Sequence, residues 1–334
     1  MIFDALSDVF SAAQVWLFET VVQPVVFAVG LGGWVEDAFD ATGWLLVGVV
    51  QLAVMLAIIG PLERLRPVYR VTDRAAVRTD VLYTLLHRLG LFRLVMFFLL
   101  QPFFDGVVGP LHAAGWNGWQ LDAIWPGVTD VAWVSFLLYL VVMDFVDYWI
   151  HRGQHGLSWW WSLHSLHHSQ RQMTMWSDNR NHLLDDALRD LIFVVVAQLI
   201  GVAPGQFIAL VALTQLSESL QHANLRLHFG TLGERLWVSP RFHRLHHSIG
   251  LGHEAPVRDG EFAEKAIPRL GGHNFGVLLP WWDMLFRSGD FSHRYDPTGI
   301  RDQVEPDDQG RLRDYGRGFW AQQWLGLKRL AGQG

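Results

Sequence analysis

Long apolar runs dominate the first half of the chain and predict membrane-spanning helices. Residues Gly43–Leu62 carry no charge and one amide, Gln51, and a run of this length matches the roughly 20 residues needed to cross a hydrocarbon core. A second run, Val81–Phe104, has basic residues in its first half that can extend toward the membrane surface. A third, Val131–Ile150, is apolar until two aspartates near its end. These runs predict three transmembrane helices.

Two further apolar regions are shorter or interrupted. The N-terminal segment, about Phe10–Leu31, carries Glu19 and has no Lys or Arg before it, which does not fit a signal peptide. The pattern allows this segment either to cross the membrane or to lie at its surface. Residues 191–216 form two apolar pieces that glycine and proline separate, and each piece is about half a span long. This pattern predicts a re-entrant or buried helical hairpin.

The placement of arginine predicts the orientation. No Lys or Arg precedes Arg64, five arginines then lie between the first two predicted spans, and none occurs from 94 to 151. Because basic loops stay on the cytoplasmic side, the loop after Arg64 and everything after the third span are predicted to face the cytoplasm. The excess of arginine over lysine favours a bacterial inner membrane.

These features divide the chain into four predicted regions. Residues 1–42 are the N-terminal apolar segment, 43–150 the transmembrane helices, 151–290 a histidine-rich catalytic region, and 291–334 a C-terminal cytosolic tail. The predicted fold class is all-α, a multi-pass membrane helical bundle with a cytosolic helical cap.

Composition narrows the chemistry of this bundle. The chain of 334 residues contains 16 His and no Cys, and its formal net charge is -6. The absence of Cys excludes disulfides, iron–sulfur clusters and thiol nucleophiles. The negative charge offers no basic surface for nucleic acid, so we expect no such partner. Imidazole is the abundant metal-binding group that remains.

Eight histidines lie at metal-ligand spacings in three clusters. His151 and His155 follow the third predicted span, and the similar hexapeptides HSLHHS and HRLHHS begin at 164 and 243. Residues three or four positions apart share one face of a helix. Eight imidazoles exceed the four ligands of one tetrahedral ion and suit two metals. Imidazole shells accept Fe, Zn, Cu or Ni, and we predict that the cap carries this di-metal site.

Several motifs, in this order, resemble the fatty acid hydroxylase / sterol desaturase superfamily of membrane di-iron enzymes. The resemblance extends over about residues 63–286. It rests on DFVDYWIHRGQH (144–155), HSLHHS (164–169), RNH (180–182), QHANLRL (221–227), SPRFHRLHHS (239–248), and NFG followed by WWDMLF (274–286).

The resemblance implies a set of iron ligands. The implied ligands within the three histidine boxes are His151, His155, His164, His167, His168, His243, His246 and His247. His222 resembles an additional ligand between the second and third boxes. His182 is implied as a ligand or as a supporting residue, although Leu183 stands where the family often has Pro.

A metal-bound imidazole needs an acceptor for its other ring nitrogen. Asp144 and Asp147 lie seven and four residues before His151, near the same helical face, and we predict that they are such acceptors. Asn224 and Asn274 are further candidates, together with Asp178.

The resemblance also implies an O2-dependent oxidoreductase with two irons that acts on an unactivated C–H bond of a lipid. We favour hydroxylation over desaturation. The sequence has no dinucleotide-binding fingerprint and no Cys, so an external ferredoxin, cytochrome or reductase is expected to supply electrons. Zinc or another metal can replace iron in a purified histidine site. Two other classes stay open, a membrane zinc-dependent lipid hydrolase and a non-catalytic metal-handling protein.

Overall fold

A computed structural model describes residues 2–249, 272–307 and 309–333. Within these residues the regular structure is helical, apart from one isolated β-bridge between Ser248 and Thr298. Apart from helices of three to five residues, the described helices are, in chain order, α1 (Ser7–Ala28), α2 (Gly32–Leu65), α3 (Arg74–Arg88), α4 (Leu91–Ala113), α5 (Ala132–Gly156), α6 (Ser158–His168), α7 (Leu183–Ile200), α8 (Pro204–His222), α9 (Pro240–His246) and α10 (Phe319–Leu330).

Four of these helices, α1, α2, α4 and α5, are long and apolar enough to cross a membrane. The predicted all-α, multi-pass membrane fold is therefore confirmed. The N-terminal segment, which the sequence left open, forms α1 and is one of the four. Helix α2 contains the first predicted span, and α5 contains the third except for its first residue, Val131.

The prediction of one span over Val81–Phe104 is wrong, because the chain breaks between α3 and α4. Gly90 adopts a left-handed conformation with φ of 80°. A residue with positive φ cannot continue a right-handed helix, and glycine adopts this conformation without a steric penalty. The basic residues of the run therefore belong mainly to α3, and the apolar remainder forms α4.

The region predicted as a hairpin, 191–216, belongs to α7 and α8. Gly201 has a φ of 79° at the end of α7, and Pro204 begins α8. Both helices extend beyond the predicted apolar pieces, since α7 begins at Leu183 and α8 ends at His222. The extension carries α8 from the apolar region to the histidines.

Polar bonds join α2, α3 and α8 beside the histidines. A Cβ atom at Gly48 would lie 1.6 Å from the backbone oxygen of Arg88, so only glycine allows α2 and α3 to approach this closely. The buried Arg88 guanidinium donates to Gln51 Oε1 (3.2 Å), Asp178 Oδ2 (2.7 Å) and Ser219 Oγ (2.9 Å). This network fixes α3 against the membrane helices.

Helices α3, α6, α9 and α10, with their connecting loops, are called the cap below. Helix α6 follows α5 directly, and α10 packs against α6 and α3. The segment predicted as a C-terminal tail, 291–334, thus includes a helix that is part of the cap. Of the predicted catalytic region, residues 250–271 lie outside the described residues.

Candidate metal centre

Nine buried histidines gather where α5, α6, α8 and α9 meet. His151 and His155 lie one turn apart near the end of α5, and His222 is the last residue of α8. The other six lie on α6 and on or directly after α9: His164, His167, His168, His243, His246 and His247. The structure thus brings together all eight box histidines and His222.

These histidines form two adjoining groups of four. Cluster A consists of His151, His155, His164 and His168. Cluster B consists of His167, His222, His243 and His247. Within each cluster, one ring nitrogen from every histidine lies within 4.8 Å of the others.

His246 connects the two clusters. Its ring nitrogen groups with those of His168 from cluster A and His247 from cluster B. The rings of His168 and His247 stack with centroids 4.2 Å apart, and the ring of His246 lies 4.4 Å from that of His151. Two metal ions bound in the two clusters would therefore be neighbours.

The nitrogen positions in cluster B fit one cation. The Nε2 atom of His222 lies 3.1 Å from that of His167 and 3.0 Å from that of His243. His243 Nε2 lies 3.1 Å from His247 Nε2. A tetrahedral shell with metal–nitrogen bonds of 2.0–2.1 Å would separate its ligands by about 3.3 Å. These three separations need only a small expansion to match such a shell.

Cluster A also offers an inward-facing nitrogen. His164 Nε2 is buried and has no hydrogen-bond partner among the described residues, which costs about 1–3 kcal/mol for a polar group removed from water. A bound metal would remove this cost. The donor set of nine imidazoles without thiolate is suited to iron, zinc, copper or nickel.

Burial keeps cluster B in the neutral form that binds metals. Desolvation lowers the pKa of His167, His243 and His247 well below the ordinary value, and the neighbouring imidazoles lower it further. Desolvation also lowers the pKa of His222. Neutral imidazoles have a free lone pair for a cation.

Four histidines have acceptors that orient their rings. His164 Nδ1 lies 2.9 Å from Asp185 Oδ2, and this carboxylate also accepts from Gln154 and Trp160 at 2.7 Å. The other three use backbone oxygens at 2.7–2.8 Å: His151 with Phe275, His222 with Glu218, and His246 with His273. In each case Nδ1 is held by the protein, which leaves Nε2 for a metal.

The structure corrects the prediction that Asp144 and Asp147 accept from His151. Asp144 accepts from the backbone N–H groups of Leu278 and Leu279 and from the Trp282 indole. Asp147 forms a bidentate pair with Arg189 at 2.9 and 2.6 Å. A helical side chain leans toward the N-terminus. Both aspartates precede His151 on α5, and their carboxylates therefore point away from it.

The two predicted asparagines support the site through the backbone. Asn224 bonds to the backbone of Val68 and Tyr69, which ties the loop after α2 to the end of α8. Asn274 has a φ of 58° and bonds to the backbone of Phe242 and Asp290. The neighbours of Asn274 in sequence supply the carbonyls that bind His246 and His151. Among the described contacts, neither asparagine side chain bonds to a histidine.

His182 and Asp178 also lie outside both clusters. His182 is the N-cap of α7, where its Nδ1 accepts from Leu184 N and its Nε2 donates to the backbone oxygen of Gln323 at 3.0 Å. Both ring nitrogens are thus used by protein contacts. Asp178 accepts from Arg88 and from Ser219. The geometry gives both residues structural contacts instead of a place in the ligand groups.

An apolar cavity leads from the membrane helices toward the clusters. It has a volume of about 390 Å³ and lies between α2, α4, α7 and α8, with Phe97, Phe207 and Val211 in its wall. Its polar lining includes Arg189 and Glu218, which bond to each other at 3.2 Å. The same two residues line a smaller cavity that contains histidines of both clusters. Sequence reasoning identified the histidines of the smaller cavity, but neither Arg189 nor Glu218 nor the apolar wall of the larger cavity.

The sequence of this region matches a known family. Residues 136–288, which include both clusters, match the family model for fatty acid hydroxylase. Over these residues the chain is similar to the fatty acid hydroxylase / sterol desaturase superfamily.

Curated relatives extend this relationship. An ornithine lipid hydroxylase from Rhizobium tropici is 26% identical over 96% of this chain and 86% of its own length. An alkylglycerol monooxygenase from Caenorhabditis elegans is 24% identical over 56% of this chain and 32% of its own length. A Delta(7)-sterol-C5(6)-desaturase from Nicotiana tabacum is 26% identical over 57% of this chain and 59% of its own length. No solved structure matches the chain.

Proposed function

We propose that this protein is a membrane oxidoreductase that hydroxylates an unactivated C–H bond of a lipid, using O2 and electrons from an external donor. The observation that carries the proposal is the pair of adjoining four-histidine clusters, whose small cavity shares the lining residues Arg189 and Glu218 with an apolar cavity. The relatives are named as lipid hydroxylases, monooxygenases and desaturases, which supports lipid oxidation as the reaction class.

Clusters A and B would each hold one iron, with His246 between them. When bound, the two irons would supply the O2 activation that C–H oxidation requires. The protein would contribute fixed imidazole positions, through Asp185 and the three backbone carbonyls, and would keep the rings neutral by burial.

The apolar cavity would hold the hydrocarbon part of the substrate. Aromatic and aliphatic side chains form most of its wall, so a lipid chain would replace water there. The Arg189–Glu218 pair at the polar end would meet the part of the lipid that approaches the histidines. The cap and the clusters would lie at the cytoplasmic face of a bacterial inner membrane.

Metal analysis combined with lipid mass spectrometry tests this function. Cells that produce the protein should contain a lipid 16 mass units heavier than its precursor, and formation of this lipid should require O2. Desaturation would instead give a decrease of 2. The variants His164→Ala and His243→Ala, one from each cluster, should lose both the product and bound iron. A zinc-loaded protein that cleaves lipids without O2 would overturn the proposal in favour of a hydrolase.

A further inference from the structure

Helix α10 has its polar and apolar sides reversed relative to a helix on a water-soluble surface. Its outer face consists of exposed apolar side chains one helical turn apart, Trp320, Trp324 and Leu327, and Trp320 is 81% exposed. Its inner face contains the buried side chains of Gln322, Gln323 and Arg329. A helix between a protein and water normally presents polar residues outward.

The polar contacts of the inner face fix this orientation. Gln323 Nε2 donates to Tyr83 Oη at 2.9 Å and to the Asn181 backbone oxygen at 3.0 Å. Arg329 Nε donates to the Ser162 backbone oxygen at 3.1 Å. A Cβ atom at Gly326 would lie 2.2 Å from His182 Cδ2, so glycine is required for this close packing. Rotating α10 to hide its tryptophans would break these bonds.

Helix α10 packs beside the end of the membrane helix α5. Ser162, which accepts from Arg329, is the fifth residue of α6, and α6 begins directly after the membrane helix α5. The end of α5 and the start of α6 also expose large apolar groups, with Trp149 at 44%, Leu157 at 45% and Trp159 at 46%. Helix α10 thus lies beside the junction of α5 and α6, where other large apolar side chains are exposed.

We propose that α10 lies along the bilayer surface, with Trp320, Trp324 and Leu327 inserted at the boundary between headgroups and acyl chains. Tryptophan is enriched at this boundary because its ring is apolar and its N–H is polar. Lys328 lies with Nζ 5.8 Å from the Trp324 ring centroid, where its ammonium can reach the headgroups. The C-terminal segment is then a surface anchor that seats the cap on the membrane.

The proposed anchor would connect the membrane surface to the segment before α7. Gln323 bonds to Asn181, and the Gln323 backbone oxygen accepts from His182. Asn181 lines the small cavity that contains the clustered histidines. Binding of α10 to the bilayer surface would therefore hold this cavity wall at a fixed height above the bilayer. This role of α10 does not depend on the proposed oxidation.

Site-directed spin labelling tests the placement directly, because the native chain has no Cys. The full-length variants Leu327→Cys and Trp324→Cys would be labelled and reconstituted in phosphatidylcholine/phosphatidylglycerol bilayers. The control is Arg317→Cys, at an exposed position shortly before α10. Collision of each label with O2, which concentrates in lipid, is compared with collision with a water-soluble nickel chelate.

We expect the ratio of O2 to nickel collisions to be several-fold higher at 327 and 324 than at 317. Equal ratios at the three sites would place α10 in water and overturn the proposal. Strong spin–spin broadening at 327 would mean that a second copy covers the face, which would also overturn it. Agreement between the two labelled sites excludes a local effect of either substitution. Neither measurement depends on enzymatic activity.

Discussion

Asp185 joins three side chains beside cluster A through one carboxylate. It accepts from His164, Gln154 and Trp160. The substitution Asp185→Asn replaces one acceptor oxygen by an amide donor and weakens the hold on His164. Loss of such an outer contact lowers metal affinity about 10–100-fold. We expect that decrease in a chelator competition assay of the purified protein.

The matched control for this measurement is Asp144→Asn. Asp144 is also buried and also accepts from a tryptophan indole, but its other bonds go to the backbone of residues 278 and 279. The Asp144→Asn variant should have a lower Tm than the native protein, but its folded fraction should bind metal with the native affinity. Equal metal affinity in the Asp185 variant and the native protein would contradict the role of Asp185.

Asp185 and Asp144 show which parts of the site can be predicted from the sequence and which cannot. The box histidines were predictable because their spacing repeats. Asp185 lies 21 residues after His164 in a different helix, and no local pattern relates the two. The backbone carbonyls of Phe275, Glu218 and His273 carry no side-chain signal. Acceptors of this kind become visible only when the chain is folded.

Cluster B makes the metal-free protein sensitive to acid. The pKa of His167, His243 and His247 is lowered from 6.5 in the folded protein. Below pH 6.5 the unfolded chain therefore binds more protons than the folded chain, and stability falls as the pH falls.

The metal-free protein should thus have a lower Tm at pH 5.5 than at pH 7.5, and the double variant His243→Gln/His247→Gln should show a smaller difference. A native Tm that does not change between these pH values would contradict the protonation argument. Bound metal competes with protons for the same nitrogens, so the loaded protein should keep its Tm to lower pH.

Among the helices, the contact between α2 and α3 depends most clearly on one small residue. Gly48 lies against the backbone of Arg88, and backbone atoms cannot move aside as a flexible side chain can. The substitution Gly48→Ala forces the two helices apart, and overpacking of this kind costs about 1–3 kcal/mol. We expect a lower Tm in detergent than for the native protein.

Gly43→Ala on the same helix provides the comparison. Its Cβ would meet the Gln14 side-chain amide at 3.0 Å, which can rotate away. This variant should stay close to the native Tm. If Gly48→Ala were equally stable, the close crossing of α2 and α3 would not be the feature that holds α3 in place.

The helices also show which elements sequence patterns predict well. The uninterrupted apolar run of α2 was sufficient to identify a span. The break at Gly90 was harder to recognise, because basic and apolar residues continue on both sides of it and only its positive φ ends α3. Helices α7 and α8 extend past their apolar pieces because polar tertiary contacts, such as that of His182 with Gln323, stabilise their ends.

In the whole molecule, the membrane cavity and the clustered histidines meet at Arg189 and Glu218. These residues line both spaces, and Arg189 also pairs with Asp147 on α5. The charged pair separates an apolar volume from the proposed metal site. Under the proposed function a lipid would reach the clusters from this cavity past the Arg189–Glu218 pair, so filling the cavity should block the reaction without affecting the metal.

Val211 on α8 is suited to that test, because it lines the apolar cavity and does not line the smaller cavity that holds the histidines. The substitution Val211→Trp should fill much of the cavity, which has a volume of about 390 Å³. Because the lipid's hydrocarbon chain would no longer fit, formation of the heavier lipid should fall at least about tenfold. Leu94→Trp is the control, because Leu94 is 47% exposed on α4 and does not line the cavity. Both variants should retain the native metal content. Undiminished lipid product from a folded Val211→Trp protein would mean that the substrate reaches the histidines by another route.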